Sequence, residues 1–343
     1  MGDEAAVIKA RGLGKKFRTQ KRQGSGLKAA FKAFLRPEYE TVEAVAGIDF
    51  DLPAGEIRAL IGPNGAGKST LIKMLCGVLH PSYGELSCLG MVPWKDRRAY
   101  VRRIGAVFGQ KTQLMWDLPA ADTFTINKKI YGVDDAAFKR SMDYFEARFG
   151  LAAFAGRPVR SLSLGERMRC ELVAALLHEP ALVFLDEPPI GMDILAKDTV
   201  RQFVRDVNRD RGVSFILTTH DLGDVENLCD RVTVINHGSI VFDRGMDELK
   251  RTLGGKQRLE LGFSRPLDAS ERAAAAADGA VFAEEDANAP ALKASWELAG
   301  EGAERGARVA SLLSSWPVAD IAITEPEIET IIRDLYAAET PVD

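Results

Sequence analysis

Residues 56–79 read EIRALIGPNGAGKSTLIKMLCGVL, and no other stretch limits the fold of this chain so tightly. An apolar run of strand type reaches Gly62, a glycine-rich break follows, and Leu71, Ile72, Leu75, Val78 and Leu79 then recur at helical spacing. The break is G-x-x-x-x-G-K-[ST], carried by Gly62, Pro63, Asn64, Gly65, Ala66, Gly67, Lys68, Ser69 and Thr70. Its place between a strand and a helix is what gives the letters their meaning. Glycines let successive N–H groups turn inward on phosphate oxygens, and the helix N-terminus adds the positive end of its dipole. Lys68 then sets a point charge beside the β- and γ-phosphates, and the Ser69 hydroxyl faces magnesium. A glycine-rich turn without a ligand is the bland alternative, and Lys-Ser-Thr at the helix start speaks against it. The segment implies a nucleoside triphosphate site in an α/β fold, without saying which chemistry it serves.

A second apolar run, ALVFLDE at 181–187, has the continuous hydrophobicity of a buried parallel strand and ends in two carboxylates. Such a strand delivers them to the sheet edge where ligands sit in doubly wound folds. Asp186 is expected to hold magnesium and Glu187 to act as general base on the attacking water. A pair of solvated acids opening a loop is the competing reading, and Pro188-Pro189 is compatible with it. A third run, VSFILTTHD at 213–221, ends in His220, which is expected to donate to the γ-phosphate, with a polar surface residue at a strand end as the competing reading.

Composition narrows the partners. Forty-five Lys and Arg against 49 Asp and Glu give a formal charge of -4, which argues against a generally basic nucleic-acid binder, and no nucleic acid is expected as a partner. The start MGDEAAVIKA lacks a secretory pattern, and no uncharged apolar run approaches the roughly 20 residues of a membrane span. A cytoplasmic location is expected. Cys76, Cys88, Cys170 and Cys229 show no C-x-x-C spacing and read as buried small apolar residues. His80, His178 and His237 form no ligand set.

The order of motifs resembles the ATP-binding subunit of an ABC transporter over about residues 6–245. After the phosphate loop come a glutamine at a strand end in AVFGQ (Gln110), LSLGE at 162–166, LVFLDE at 182–187, IGMD at 190–193 and His220. The resemblance implies the Q-loop, signature motif, Walker B strand with catalytic Glu187, D-loop and switch histidine, in that order. It implies a P-loop NTPase core with a RecA-like sheet, an antiparallel β subdomain and a helical subdomain at about 111–170. ATP and Mg2+ are the implied cofactors, with Ser69, Gln110 and Asp186 toward the metal and Gln110 and His220 assisting Glu187. The implied partners are a second copy of the chain, or a paralogous subunit, and an integral membrane permease met by KTQLMWDLPAADTF, with Trp116 exposed. The chain would then sit on the inner face of the membrane through that permease.

Across such a dimer, Ser163, Gly165, Glu166 and Asp193 are expected to contact the nucleotide of the opposite subunit. Phe17 falls where the family stacks a ring on adenine, with a core position in a β-hairpin as the alternative. Leu164 and Glu166 depart from the usual Leu-Ser-Gly-Gly-Gln signature, and Pro189 stands where a threonine or serine is frequent. QKTQLMWDLP, LSLGERMRCEL and the tail IETIIRDLY look most like ATPase subunits of exporters with a separate permease, of the daunorubicin, viologen or sodium-efflux type. A soluble ABC ATPase acting on ribosomes or DNA is the rival. One phosphate loop instead of two, and no sustained heptads between 70 and 161, weigh against it.

Two regions lie outside this core. Residues 9–36 hold ten Lys or Arg and no acid. Within the expected insert at about 20–40, Leu27, Phe31, Phe34 and Leu35 share one helical face and Lys28, Lys32 and Arg36 another. That helix would touch lipid headgroups or an acidic permease loop, or else pack on its own domain. The ATP-binding domain is expected to run from 1 to 247. Residues 248–343 read as a small C-terminal α+β accessory domain for dimer contact or regulation, closing on a helix capped by Thr324 and Glu327.

Overall fold

In a computed structural model of the chain, residues 6–20, 39–109, 111–187, 194–219, 222–253, 257–282, 293–298 and 302–324 are described. The basic amphipathic insert, Gln110, residues 188–193, His220 and the helix expected after Thr324 lie outside them, Thr324 itself being the last residue of a strand. The chain divides into two compact units, 1–244 and 245–343.

The first unit opens with β1 (Ile8–Gln20) and β2 (Tyr39–Leu52), which pair antiparallel with Phe17 opposite Val42. Period-two alternation buries Ile48, Phe50 and Leu52 of β2 while Asp49 and Asp51 face out. β3 (Ile57–Ile61) follows and is buried at every position, so its side chains contribute roughly 1.5–3 kcal/mol for each fully buried Leu or Ile. It feeds the phosphate loop and α1 (Lys68–Leu75).

The sequence places Val78 and Leu79 on that helix, but the structure ends it at Leu75. Gly77 takes φ +68°, and the Val78 and Leu79 N–H groups both donate to Lys73 O at 2.9 Å. A left-handed glycine of this kind closes a helix by satisfying its last carbonyls, and it leaves Val78 63% exposed.

β4 (Tyr83–Cys88) returns to β1 and completes a three-stranded antiparallel sheet in the order β2-β1-β4. After α2 (Arg97–Val101) and β5 (Ile104–Phe108) the chain enters a helical region. It comprises α3 (Ala120–Tyr131), α4 (Asp135–Phe149), two short 3-10 turns and α5 (Leu164–Leu176). The chain then alternates strand and helix through β6 (Leu182–Asp186), α6 (Ile194–Arg211), β7 (Ser214–Thr218), α7 (Leu222–Leu228), β8 (Arg231–Asn236) and β9 (Ser239–Gly245).

These strands form one six-stranded sheet in the order β5-β6-β7-β3-β8-β9, with β5 through β8 parallel to their neighbours. The order reverses at β3, and that topological switch is where such sheets open a crevice at their C-terminal edge. One buried cluster joins both sheets through α1: Ile8, Phe50 and Leu52 meet Leu71, Leu75, Phe184 and Ile216. Phe145 and Phe149 pack α4 on Phe203 of α6, with ring centroids 5.9 and 4.1 Å apart.

The second unit starts with α8 (Met246–Leu253) and then runs β10 (Gln257–Phe263), α9 (Ala269–Ala277), β11 (Val281–Phe282), β12 (Lys293–Leu298), α10 (Gly302–Ser315) and β13 (Val318–Thr324). The sheet order is β11-β12-β10-β13, the split βαβ arrangement of a β-α-β-β-α-β chain. Leu259, Leu261, Ala294, Trp296 and Leu298 alternate inward, and Ala275 of α9 and Leu312 of α10 close the core. Asp268 caps α9 in a reciprocal box with Glu271. The two-residue β11 and the strand order were not legible in the sequence.

Candidate nucleotide site

β3 carries the phosphate loop to the C-terminal edge of the sheet, and backbone contacts fix its shape. A Cβ on Gly62 would stand 2.2 Å from Ile235 O, and one on Gly67, at φ +107°, would stand 2.3 Å from Ala44 O. Only glycine fits either place. The turn between β8 and β9 clamps the loop from the other side: the Gly238 N–H donates to Ala66 O at 2.9 Å, and Gly238 O accepts from the Ala46 N–H at 2.8 Å. Lys68 opens α1 with its ammonium folded onto the loop, donating to Gly62 O at 2.6 Å and Pro63 O at 3.1 Å. Burial lowers its pKa from the ordinary lysine value, against the pull of Glu187 and Asp186. A triphosphate reaching this ammonium meets a donor already held in place.

Asp186 and Glu187 arrive on β6 between β5 and β7. The hydroxyl of Thr218, at the end of β7, donates to Asp186 Oδ1 at 2.6 Å and accepts the Glu187 N–H at 3.0 Å. That N–H also reaches Thr218 O at 3.0 Å. Glu187 sits at φ +55°, an uncommon conformation for a residue with a side chain, and the Thr218 contacts hold it there. The Gly109 N–H donates to Asp186 O at 2.8 Å, which brings the end of β5 alongside the two acids.

Asn64, Ser69, Lys73, Gly109, Asp186 and Glu187 line one cleft of about 390 Å³, together with Phe108, Lys111 and Val78. The structure thus brings together Asn64 and Ser69 of the loop with both carboxylates, and Lys68 stands close enough to feel them. Ser69 and Asp186 present a hydroxyl and a carboxylate to the same space, the hard oxygen donors that Mg2+ takes alongside phosphate and water. Among the described residues no group of three His, Cys, Asp or Glu could hold a metal alone. Thr70 follows in α1, half-buried.

Other expected residues stand elsewhere. Phe17 is half-buried on β1, outside the cleft lining, with Lys15 Nζ 5.4 Å from its ring centroid. Ser163 is the N-cap of α5: its hydroxyl accepts the Glu166 N–H at 3.2 Å, and the Glu166 carboxylate accepts the Ser163 N–H at 2.8 Å. Arg157 pairs with the other carboxylate oxygen of Glu166. Burial pushes the Glu166 pKa up, but the Ser163 contacts and Arg157 outweigh it and hold the pKa below the ordinary value. Arg167 and Arg169 stand next along the chain, where their charge would offset this acid. In the structure Arg167 instead lies over Trp116 at 5.8 Å, and Arg169 reaches Phe149 O and the Phe154 ring. A Cβ on Gly165 would come within 2.9 Å of Ala196 Cβ on α6, so this glycine also sets helix packing.

Sequence reasoning missed Thr218, Gly238 and Arg157. Thr218 had a readable signal, a polar residue closing the apolar FILT strand level with Asp186. The clamp at Gly238 had none, because it joins segments more than 170 residues apart.

Comparison with known proteins fits this geometry. The ABC transporter family profile matches residues 45–189. The daunorubicin/doxorubicin resistance ATP-binding protein DrrA of Streptomyces peucetius is 33% identical over 258 residues, covering 75% of this chain and 77% of that protein. The chain belongs to the ABC transporter family. It is an ATP-binding subunit of that family and an ATPase. The ABC transporter ATP-binding protein NatA of Bacillus subtilis (strain 168) is 29% identical over 61% of this chain and 85% of its own length. A protein named for methionine import, of Acinetobacter baylyi, also stands among the relatives of this ABC subunit, 31% identical over 65% of this chain and 65% of its own length. A solved ATP-binding subunit of an ABC transporter superposes with a TM-score of 0.59 at 24% identity, over 72% of this chain and 93% of that one, a likeness of fold.

Proposed function

We propose that this ABC subunit drives a separate membrane permease, working as one of two copies that close over two Mg-ATP, and that transport is outward. The observation that carries the reading is a division of parts. Lys68, Ser69, Asp186 and Glu187 share one cleft region, whereas the capped helix start at Ser163 and Gly165 lies outside that lining and is left for the nucleotide of a second copy. A helix N-terminus, where the positive end of the dipole lies, is suited to a phosphate edge.

In the proposed reaction Lys68 exchanges Gly62 and Pro63 carbonyls for β- and γ-phosphate oxygens. Ser69 and Asp186 would hold magnesium, which would supply charge neutralisation at the phosphates. Glu187 takes a proton from the attacking water as its oxygen bonds to the γ-phosphorus, and the bond to the β-γ bridging oxygen breaks to leave ADP and phosphate. Gln110 and His220 take their family roles toward water and γ-phosphate, Asp193 reaches across the dimer, and Phe17 stacks on adenine. Glu166 holds the Ser163 cap in shape. Met115, Trp116 and Leu118, each 40–49% exposed, form the face toward the permease.

Outward transport is supported by relatives named for resistance, including DrrA and a linearmycin resistance protein. No helix among the described residues is long and apolar enough to cross a membrane. Purification of the full chain from detergent-solubilised host membranes tests this directly. A multi-span membrane protein in comparable amount is expected, and recovery with ribosomes or DNA alone contradicts it.

A further inference from the structure

Glu171 lies on α5, two turns beyond the signature start, and is 4% exposed. A buried carboxylate is costly where an apolar side chain would fill the same volume. Its contacts show what it holds. The Thr112 hydroxyl donates to Oε1, the Gln113 N–H donates to Oε2 at 3.3 Å, and Gln113 Nε2 donates to Glu171 O at 3.0 Å. Thr112 Oγ1 in turn accepts the Leu114 N–H at 3.1 Å. Burial raises the Glu171 pKa, with Thr112 and Gln113 pulling it back.

The position of these partners gives the contacts a consequence. Phe108, Gly109 and Lys111 line the nucleotide cleft, and Thr112 and Gln113 follow immediately. One turn beyond Glu171, Ala175 O sits against Gly105 of β5, where a Cβ would come within 2.5 Å. Two turns before it, Ser163 begins the helix. Glu171 therefore sits between the part of α5 fixed to the sheet and the part that carries the signature, and it grips the two residues that directly follow the Phe108, Gly109 and Lys111 edge of the cleft.

We propose that Glu171 is a positioning residue that couples occupancy of the chain's own cleft, through Thr112 and Gln113, to the placement of Ser163 and Gly165. The inference rests on the dimeric ATPase reading above. Nucleotide moving the cleft edge at Phe108, Gly109 and Lys111 pulls on Glu171, and α5 turns about its Gly105 contact to carry its start into place. By linkage, a signature engaged by a second copy tightens the cleft in return.

The test uses the full chain with Glu187→Gln, carrying spin labels at Arg98→Cys on α2 and Ala153→Cys in the turn that Arg169 fastens to α5. Both positions are exposed, and the four native thiols are buried, so labelling is selective. Labelled chain is diluted with unlabelled chain so that only the distance within one copy is read. Mg-ATP is expected to shift the 98–153 distance. With Glu171→Gln, or with Thr112→Val at an exposed position that leaves α5 intact, ATP still binds but the shift is lost. A shift of equal size in all three chains overturns the coupling. An ATP-dependent dimer without any shift in the parent chain overturns it as well. If the parent chain shows neither dimer nor shift, the dimeric ATPase reading fails and the coupling falls with it.

Discussion

The Thr218 hydroxyl donates to Asp186 Oδ1 at 2.6 Å while its oxygen accepts the Glu187 N–H at 3.0 Å, so one fully buried side chain on β7 orients both acids at the end of β6. Thr218→Val keeps the shape and removes both contacts. It is expected to cost roughly 1–3 kcal/mol of stability. ATP turnover at saturating nucleotide should fall further than urea unfolding alone accounts for. A lowered unfolding midpoint with unchanged turnover would detach Thr218 from the site.

The phosphate loop should be intolerant at the positions where a Cβ meets backbone. Gly62→Ala brings a carbon to 2.2 Å from Ile235 O, and Gly67→Ala to 2.3 Å from Ala44 O at φ +107°. Each change forces the loop off its clamp at a cost of about 1–3 kcal/mol, and calorimetric titration should show ATP binding lost. Gly65→Ala meets no atom within 4 Å and carries only backbone strain, so it should bind ATP better than either.

Glu166 departs from the usual signature, and its carboxylate serves the helix cap. Glu166→Ala should lower stability by about 1 kcal/mol, whereas Glu166→Gln retains the reciprocal box and loses only the exposed pairing with Arg157, worth less. The folded pKa is held below the ordinary 4.5, so the ionised form stabilises the folded chain. That contribution is complete above 4.5 and is lost as pH falls through the folded value. Acid unfolding of Glu166→Gln should therefore be shallower in this window than that of the parent.

All four thiols are buried, and burial pushes Cys88 and Cys170 up to about 12 and Cys76 well above its ordinary value. A thiol reagent at pH 8 should find none of them in the folded chain and all four after denaturation. Rapid native modification of Cys76, Cys88 or Cys170 would contradict the packing around α1 and α5.

Much of the site was legible because its motifs are local. Gly62–Thr70 and Asp186-Glu187 sit at strand ends, where residue type and strand position already imply phosphate and magnesium. What joins them is not local: Thr218 reaches Asp186 across 32 residues, Gly238 reaches Ala66 across a sheet, and Arg157 meets Glu166 from a turn with no periodic pattern. The helix end at Leu75 was misread for a related reason. Val78 and Leu79 keep the apolar spacing, but the left-handed Gly77 overrides it, and periodicity carries no record of backbone sign. In the second unit the strands were readable from alternation, while their order depends on pairings such as Leu259 with Ile323 that no stretch of sequence displays.

The central claim is that Glu187 breaks down ATP held in its own cleft while Ser163 closes on the ATP of a second copy. Sedimentation of the Glu187→Gln chain with Mg-ATP, alongside its turnover, tests it most directly. ATP should remain bound, hydrolysis should slow by about 10²–10⁴-fold, and the chain should sediment as a dimer. Adding Ser163→Arg should return it to a monomer that still binds ATP. Turnover at the parent rate, or a Glu187→Gln chain that binds ATP and stays monomeric, would contradict the account.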